Sequence, residues 1–203
     1  MSQLALPLPR GEGAGPARIV LGGGNAHVAE ALRAPESWPF RTAVLTGPPR
    51  SGKSLFARWF VENGANEALD DAHERPEDEV FHRWNRAQED GRPLRIVAGE
   101  PPWNIALPDL RSRLGAALQL EIGPPDDALM ADLVLSLAAE HGLPMGPDAA
   151  AYLVPRATRS YLHLERLVET IDRLSLERKT PPGPAIWRAA LDAVEGPEEP
   201  RLL

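Results

Sequence analysis

Apolar runs of strand length alternate with helical patterns over residues 18–125, and helical patterns alone fill residues 126–195. A glycine loop, Gly47 to Ser54 (GPPRSGKS), lies between the first such strand and its helix. Together these observations predict an α/β core with a parallel sheet, followed by a small all-helical lid domain.

The elements follow in order. Residues 1–17 begin with the apolar hexapeptide Gln3 to Leu8 (QLALPL) and continue with Pro9 to Pro16 (PRGEGAGP), whose glycines and prolines carry no periodicity; the segment reads as a flexible tail. Arg41 to Thr46 (RTAVLT) is β-prone and runs straight into the glycine loop. Ser54 to Glu62 (SLFARWFVE) continues with Leu55, Trp59 and Phe60 at helical spacing. Pro76 to Asp90 (PEDEVFHRWNRAQED) is a second helix, with a proline and acids at its start, Val80, Phe81, Trp84 and Ala87 on one face, and Gly91 as its stop. Leu94 to Ala98 (LRIVA) and Ala116 to Ile122 (AALQLEI) are the next strands, and Gly123 to Pro125 closes the core. From Asp126 the spacing of Leu129, Leu133, Val134 and Leu137 opens a run of four helices ending near Val194, and residues 196–203 form a C-terminal tail. No internal repeat is present.

Composition narrows the function. The 203 residues suffice for one α/β domain with a small satellite. No run approaches the ~18 consecutive apolar residues of a membrane span, and the start has neither a basic region nor a cleavage site, so a cytoplasmic protein with no membrane partner is expected. The absence of cysteine excludes disulfides and thiolate metal sites, and the five histidines show no HxxxH spacing. A formal net charge of −7 argues against direct, non-specific DNA binding, so any role on DNA is expected to run through a partner. Arginine supplies the positive charge almost throughout; Lys53 and Lys179 are the lysines, and Lys53 stands in the glycine loop.

Residues 47–54 match GxxxxGK[ST] completely, with a strand before and a helix after, as a phosphate-binding loop requires. In that role Gly47, Pro48, Pro49, Arg50, Ser51 and Gly52 wrap the phosphates with backbone N–H groups. Lys53 reaches the terminal phosphates, Ser54 also ligates Mg²⁺, and Leu55 carries the loop into the helix. Leu69-Asp70-Asp71 has two readings. Asp70 organises the metal and Asp71 the attacking water, or the pair is an acidic helix cap, since the preceding NEA offers little strand. An aspartate rather than a glutamate at the second position suits slow hydrolysis at most.

The box DDAHERPEDEVFHRWNRAQEDGRPLRIVAGEPP (Asp70 to Pro102), followed by LPDLRSRL (Leu107 to Leu114), resembles the AAA+ module of the bacterial replication initiator DnaA and of its shorter homologue Hda; GGGNAHVAEAL (Gly22 to Leu32) is similar to the segment flanking the nucleotide in that module. The resemblance runs from about Arg18 to Val194. It implies a P-loop AAA+ core with a helical lid, ADP or ATP with Mg²⁺ as ligands, Asn25 near the nucleotide, and Arg113 as an arginine finger toward a neighbouring subunit's nucleotide. Gly99 and Glu100 fall at the family's polar sensor, a partial match. The lid arginine has no clean counterpart: Leu162 occupies the place, with Arg159 and Arg156 nearby, and Arg159 is the candidate contact. The segment before Asp70 is shorter than the family's, which implies a lost strand or hairpin. Within the resemblance, no counterpart of DnaA's DNA-binding domain is expected after the lid.

QLALPL is similar to the peptide by which Hda docks on the DNA polymerase sliding clamp, which implies clamp contacts by Gln3, Leu4, Leu6, Pro7 and Leu8. Three readings follow. The first is an Hda-like negative regulator of replication initiation that docks on the clamp and stimulates hydrolysis of DnaA-bound ATP, at most a weak ATPase itself, meeting DNA only through the clamp and with self-association open. The second is an autonomous, helicase-loader-like ATPase. The third is an adaptor that nucleotide merely stabilises. The five tryptophans are scattered and read as packing residues.

Overall fold

The computed structural model describes residues 19–64 and 66–196. The chain divides into two compact units, one being Gly24–Gly123 and the other residues 124–196 with 19–23.

The first unit is built on four parallel strands: β1 (Thr42–Thr46), β2 (Glu67–Leu69), β3 (Leu94–Val97) and β4 (Leu118–Glu121), in spatial order β2-β3-β1-β4. Parallel neighbours need crossovers, and helices supply them. α2 (Lys53–Glu62) leads from β1 to β2, α3 (Glu77–Glu89) from β2 to β3, and α4 (Pro108–Gly115) from β3 to β4. A short helix, α1 (Ala26–Ala31), precedes them. The chain passes from β1 to one side of the sheet and later returns to the other, so β1 lies at the point where connection direction reverses. Ligand crevices of open α/β sheets form there, at the carboxyl ends of the strands.

β1 and β3 are buried at nearly every position, as strands covered on both faces are. Alternation divides their side chains between two layers. Val44, Leu94 and Ile96 join Val80 and Trp84 of α3 and Leu110 of α4 in one apolar cluster. On the opposite face, which α2 covers, the register sets Arg95 of β3 between Ala43 of β1 and Ala68 of β2. Arg95 is fully buried.

The residues before Asp70 carry little strand signal of their own, yet β2 forms. Three residues pair with β3, Glu67 with Leu94 through Leu69 with Ile96, and they end directly before Asp70. Tertiary pairing overrides a weak local signal here, because β3 offers a complete row of backbone partners. Glu67 is held at this edge by Arg83 at 2.9 Å and Arg92 at 3.3 Å.

The second unit is helical: α5 (Asp127–Glu140), α6 (Pro147–Leu153), α7 (Tyr161–Arg178) and α8 (Pro184–Glu195). Val134, Leu153, Leu164, Ile171, Trp187 and their neighbours form its core. Asp126 caps α5 through Leu129 N–H at 2.8 Å and also accepts Gly23 N–H at 3.2 Å, which ties residues 19–23 to this unit. Among the described residues no helix is long and apolar enough to cross a membrane.

Tyr161 at the start of α7 is buried, and burial first, then the Asp126 charge, push its phenol up to about 12. A raised acid favours the folded state while it stays protonated, so this contribution is complete below the unfolded value near ~10 and is lost as pH rises through about 12. Chemical unfolding of Tyr161→Phe between those two pH values is expected to show a shallower alkaline loss of stability than the wild type.

Candidate functional site

The loop between β1 and α2 owes its shape to three left-handed residues, Gly47 (φ 148°), Arg50 (φ 63°) and Gly52 (φ 86°). At Gly47 glycine is required twice over: the backbone angle is one that side chains rarely adopt, and a Cβ would stand 2.9 Å from that of Ile122. Gly47 N–H donates to Gly99 O at 3.2 Å, which fixes the loop's first residue to the end of β3. Gly52 then opens α2 with no side chain capping the helix and no acid in its first turn. Its leading N–H groups and the positive end of its dipole are therefore left for an anion.

Lys53, the first residue of α2, folds its ammonium back onto the carbonyls of Gly47 and Pro48, at 2.8 Å each. Burial pushes its pKa below the usual lysine value, opposed by the charges of Asp70, Asp71 and Glu100. The field of all three acids reaches Lys53, although two of them follow β2 and the third lies in the loop after β3. Ser54 is exposed in the first turn of α2, whereas Ser51 is buried with a hydroxyl that has no hydrogen-bond partner. Asp70 is half-buried; its carbonyl accepts Arg75 Nε–H at 3.1 Å, and its carboxylate accepts Asp71 N–H at 3.2 Å. Asp71 is exposed, at φ 51°, and precedes a 3₁₀ turn, Ala72–Glu74, without capping it by its side chain.

The arrangement fits a phosphate chain. Left-handed glycines shape the loop, an uncapped helix start faces it, and one ammonium is held by bonds it can exchange for phosphate oxygens. Ser54 and Asp70 offer hydroxyl and carboxylate oxygens, donors that suit Mg²⁺. Among the described residues no three acids or histidines cluster to hold a metal, so Mg²⁺ here would take its remaining oxygens from phosphate and water.

The flanking segment lies close by. Gly123 N–H donates to Gly24 O at 3.0 Å, and His27 Nε2 is 2.9 Å from Glu121 O, so residues 24–27 sit against the end of β4 that also touches Gly47. Asn25 is buried at the start of α1. Leu55 is half-buried in α2.

Arg113 is on α4. Its guanidinium carbon stands 4.6 Å from the ring centre of Phe81 and 4.5 Å from that of Trp84, and it donates to Asn85 Oδ1, all on α3. Glu77 fastens the two helices by accepting Ala106 N–H at 2.8 Å and Leu107 N–H at 2.6 Å, so the arginine is aimed by α3 as much as by its own helix. In the helical unit Arg159 donates to Asp127 at 2.6 Å and to Pro125 O at 3.3 Å. Gln3, Leu4, Leu6, Pro7 and Leu8 lie outside the described residues.

Three residues were missed by sequence reasoning. His73 packs against Gly99, where a Cβ would stand 2.9 Å from its Nε2. Arg75 holds the backbone of Asp70 and pairs with Glu79 at 2.8 Å. Arg95 donates from Nη2 to the carbonyl of Lys53 at 2.9 Å and lies 5.8 Å from the Phe56 ring, while its Nε and Nη1 have no partner. Burial pushes its pKa down to about 9, opposed by Asp70. A charge inside LRIVA was the one available signal.

No family model matches the chain. Domain III of the replication initiation protein DnaA from Thermotoga maritima is similar over 87% of this chain and 95% of its own, with a TM-score of 0.71 and 13% identity. A DNA replication initiation factor is similar over 79% of this chain, with a TM-score of 0.61 and 17% identity; the chain spans 65% of that protein's length. The Holliday junction branch migration motor RuvB of Thermotoga maritima is similar over 85% of this chain and 70% of its own, with a TM-score of 0.62 and 16% identity. At such identities the likeness shows the fold: a parallel four-stranded α/β sheet with a helical C-terminal part, the AAA+ type of fold found in domain III of DnaA and in RuvB.

Proposed function

We propose that this protein binds ADP or ATP with Mg²⁺ at Gly47–Ser54 and regulates replication initiation in the manner of Hda, docking on the sliding clamp through Gln3, Leu4, Leu6, Pro7 and Leu8 and presenting Arg113 to the ATP of DnaA. The observation that carries the reading is the strand–loop–helix of residues 42–62, whose left-handed glycines, uncapped helix start and retained lysine all suit holding phosphate. The fold shared with DnaA domain III supports the choice of partner.

In this scheme the loop amides and Lys53 bind the phosphates, and Ser54 and Asp70 hold Mg²⁺, which neutralises phosphate charge when bound. Asn25 and the segment against β4 border the nucleotide, and Arg159 is the lid arginine closest to the family's position. Asp71 is exposed and Glu100 takes the sensor position, so water activation by this chain is weak. The catalytic contribution lies in Arg113, which supplies a cation to charge developing on a partner's nucleotide. Its stacking on Phe81 and Trp84 supports that role, because a guanidinium already held between aromatic faces loses less freedom when it docks.

A second reading, an autonomous ATPase, is favoured by the negative field that Asp70, Asp71 and Glu100 exert at Lys53. The two readings separate on the isolated protein: turnover that vanishes in Lys53→Ala supports the motor, and binding without turnover supports the regulator. In either case Lys53→Ala is expected to weaken ADP binding by about 100-fold, measured by calorimetry, since it deletes a charge-assisted contact to phosphate.

On the clamp, a variant carrying Gln3→Ala, Leu6→Ala and Leu8→Ala is expected to lose binding measured by surface plasmon resonance, with ADP affinity retained. Arg113→Ala is expected to keep clamp binding and to lower stimulation of DnaA-bound ATP hydrolysis by about 10³-fold or to background. Undiminished stimulation would remove Arg113 from the scheme.

A further inference from the structure

Arg95 is the feature that the scheme above leaves unused. It is fully buried in the second strand of the sheet from the β2 edge, on the face opposite Leu94 and Ile96. Its two in-register neighbours, Ala43 and Ala68, are the small residues that leave space for a guanidinium on the face covered by α2. A buried guanidinium with two unpartnered nitrogen atoms is costly, and an apolar side chain would fill the place without that cost. Its surroundings point to what the charge does. On one side Nη2 holds the carbonyl of Lys53, the residue that begins α2 and ends the phosphate-binding loop. On the other, Ala68, in register with Arg95, stands two residues before Asp70, which directly follows the end of β2, and the field of Asp70 opposes the effect of burial on the arginine.

We propose that Arg95 is a positioning residue and internal counter-ion for Asp70, so that nucleotide binding at the loop depends only weakly on Mg²⁺. The inference rests on the reading of residues 47–54 as a nucleotide site. A carboxylate shared with a permanent neighbouring cation has less negative potential to offer a metal ion, and inside a protein that loss is larger than in water. The same cation lies beneath the loop and adds to the attraction that Lys53 and the helix start exert on phosphate. Both effects act in one direction: metal-free nucleotide gains and the metal complex loses. At neutral pH the guanidinium is charged, since even the lowered value stands at about 9.

The test is ADP affinity by calorimetry on the full chain, in Mg²⁺ and in EDTA, for the wild type, Arg95→Met and Arg95→Lys. For the wild type the two dissociation constants are expected to agree within about threefold, and Arg95→Lys, which keeps the charge, is expected to do the same. Arg95→Met is expected to bind ADP at least about tenfold more weakly in EDTA than in Mg²⁺, because Asp70 is released to the metal. A merely structural arginine would change both affinities together and leave their ratio alone. A wild-type ratio of tenfold or more would overturn the proposal, as would a folded Arg95→Met with the wild-type ratio. If Arg95→Met does not fold, the wild-type and Arg95→Lys ratios decide. Failure of the wild type to bind ADP in either buffer would overturn the nucleotide site itself, an outcome distinct from binding with a large Mg²⁺ effect.

Discussion

The structure of the first unit depends on how closely Gly47 lies to its neighbours. Its N–H is taken by Gly99 at the end of β3, its carbonyl by Lys53 at the start of α2, and its missing Cβ leaves the gap that Ile122 after β4 fills. Three strand ends and a helix start therefore meet at one backbone residue. Any side chain there would both clash and strain the backbone, and the displaced groups would include the lysine. The loop is thus shaped before any ligand arrives, which lowers the ordering cost of binding.

From that point the polar groups extend outward in a connected set. Arg75 fixes the backbone of Asp70, the field of Asp70 reaches Arg95, and Arg95 holds the carbonyl of Lys53. All three links use arginine, in keeping with a chain that has almost given up lysine. A fixed planar donor suits such links better than a flexible ammonium. The lysine that remains in the loop is the group that must let go of one set of oxygens to take another.

Much of this was legible in the sequence where local signals and tertiary context agree. GPPRSGKS between TAVLT and an amphipathic run announced its own strand, loop and helix, because glycine placement and periodicity are local properties. β2 was not, since Glu67, Ala68 and Leu69 are made a strand by the edge of β3 rather than by their own preference. The burial of Arg95 was hidden for a related reason. A charged residue in a strand reads as solvent-facing, and only the alanines paired beside it on two other segments of sequence reveal an interior place. Arg113 was visible as a residue type in RSRL, but its aromatic cradle comes from α3, some thirty positions earlier, and needed the packing of two helices to be seen.

The ion pairs of Glu67 have a consequence for how copies of this protein meet. An open sheet ends in rows of unused backbone groups that invite another chain to add a strand. Here one border is only three residues long and carries a carboxylate clasped by Arg83 and Arg92, while the other, β4, exposes Gln119 and Glu121. A foreign strand would have to displace charged groups from water to gain a few hydrogen bonds. Growth of the sheet from molecule to molecule is thereby discouraged, which protects a crowded solution of this protein against fibrous aggregation.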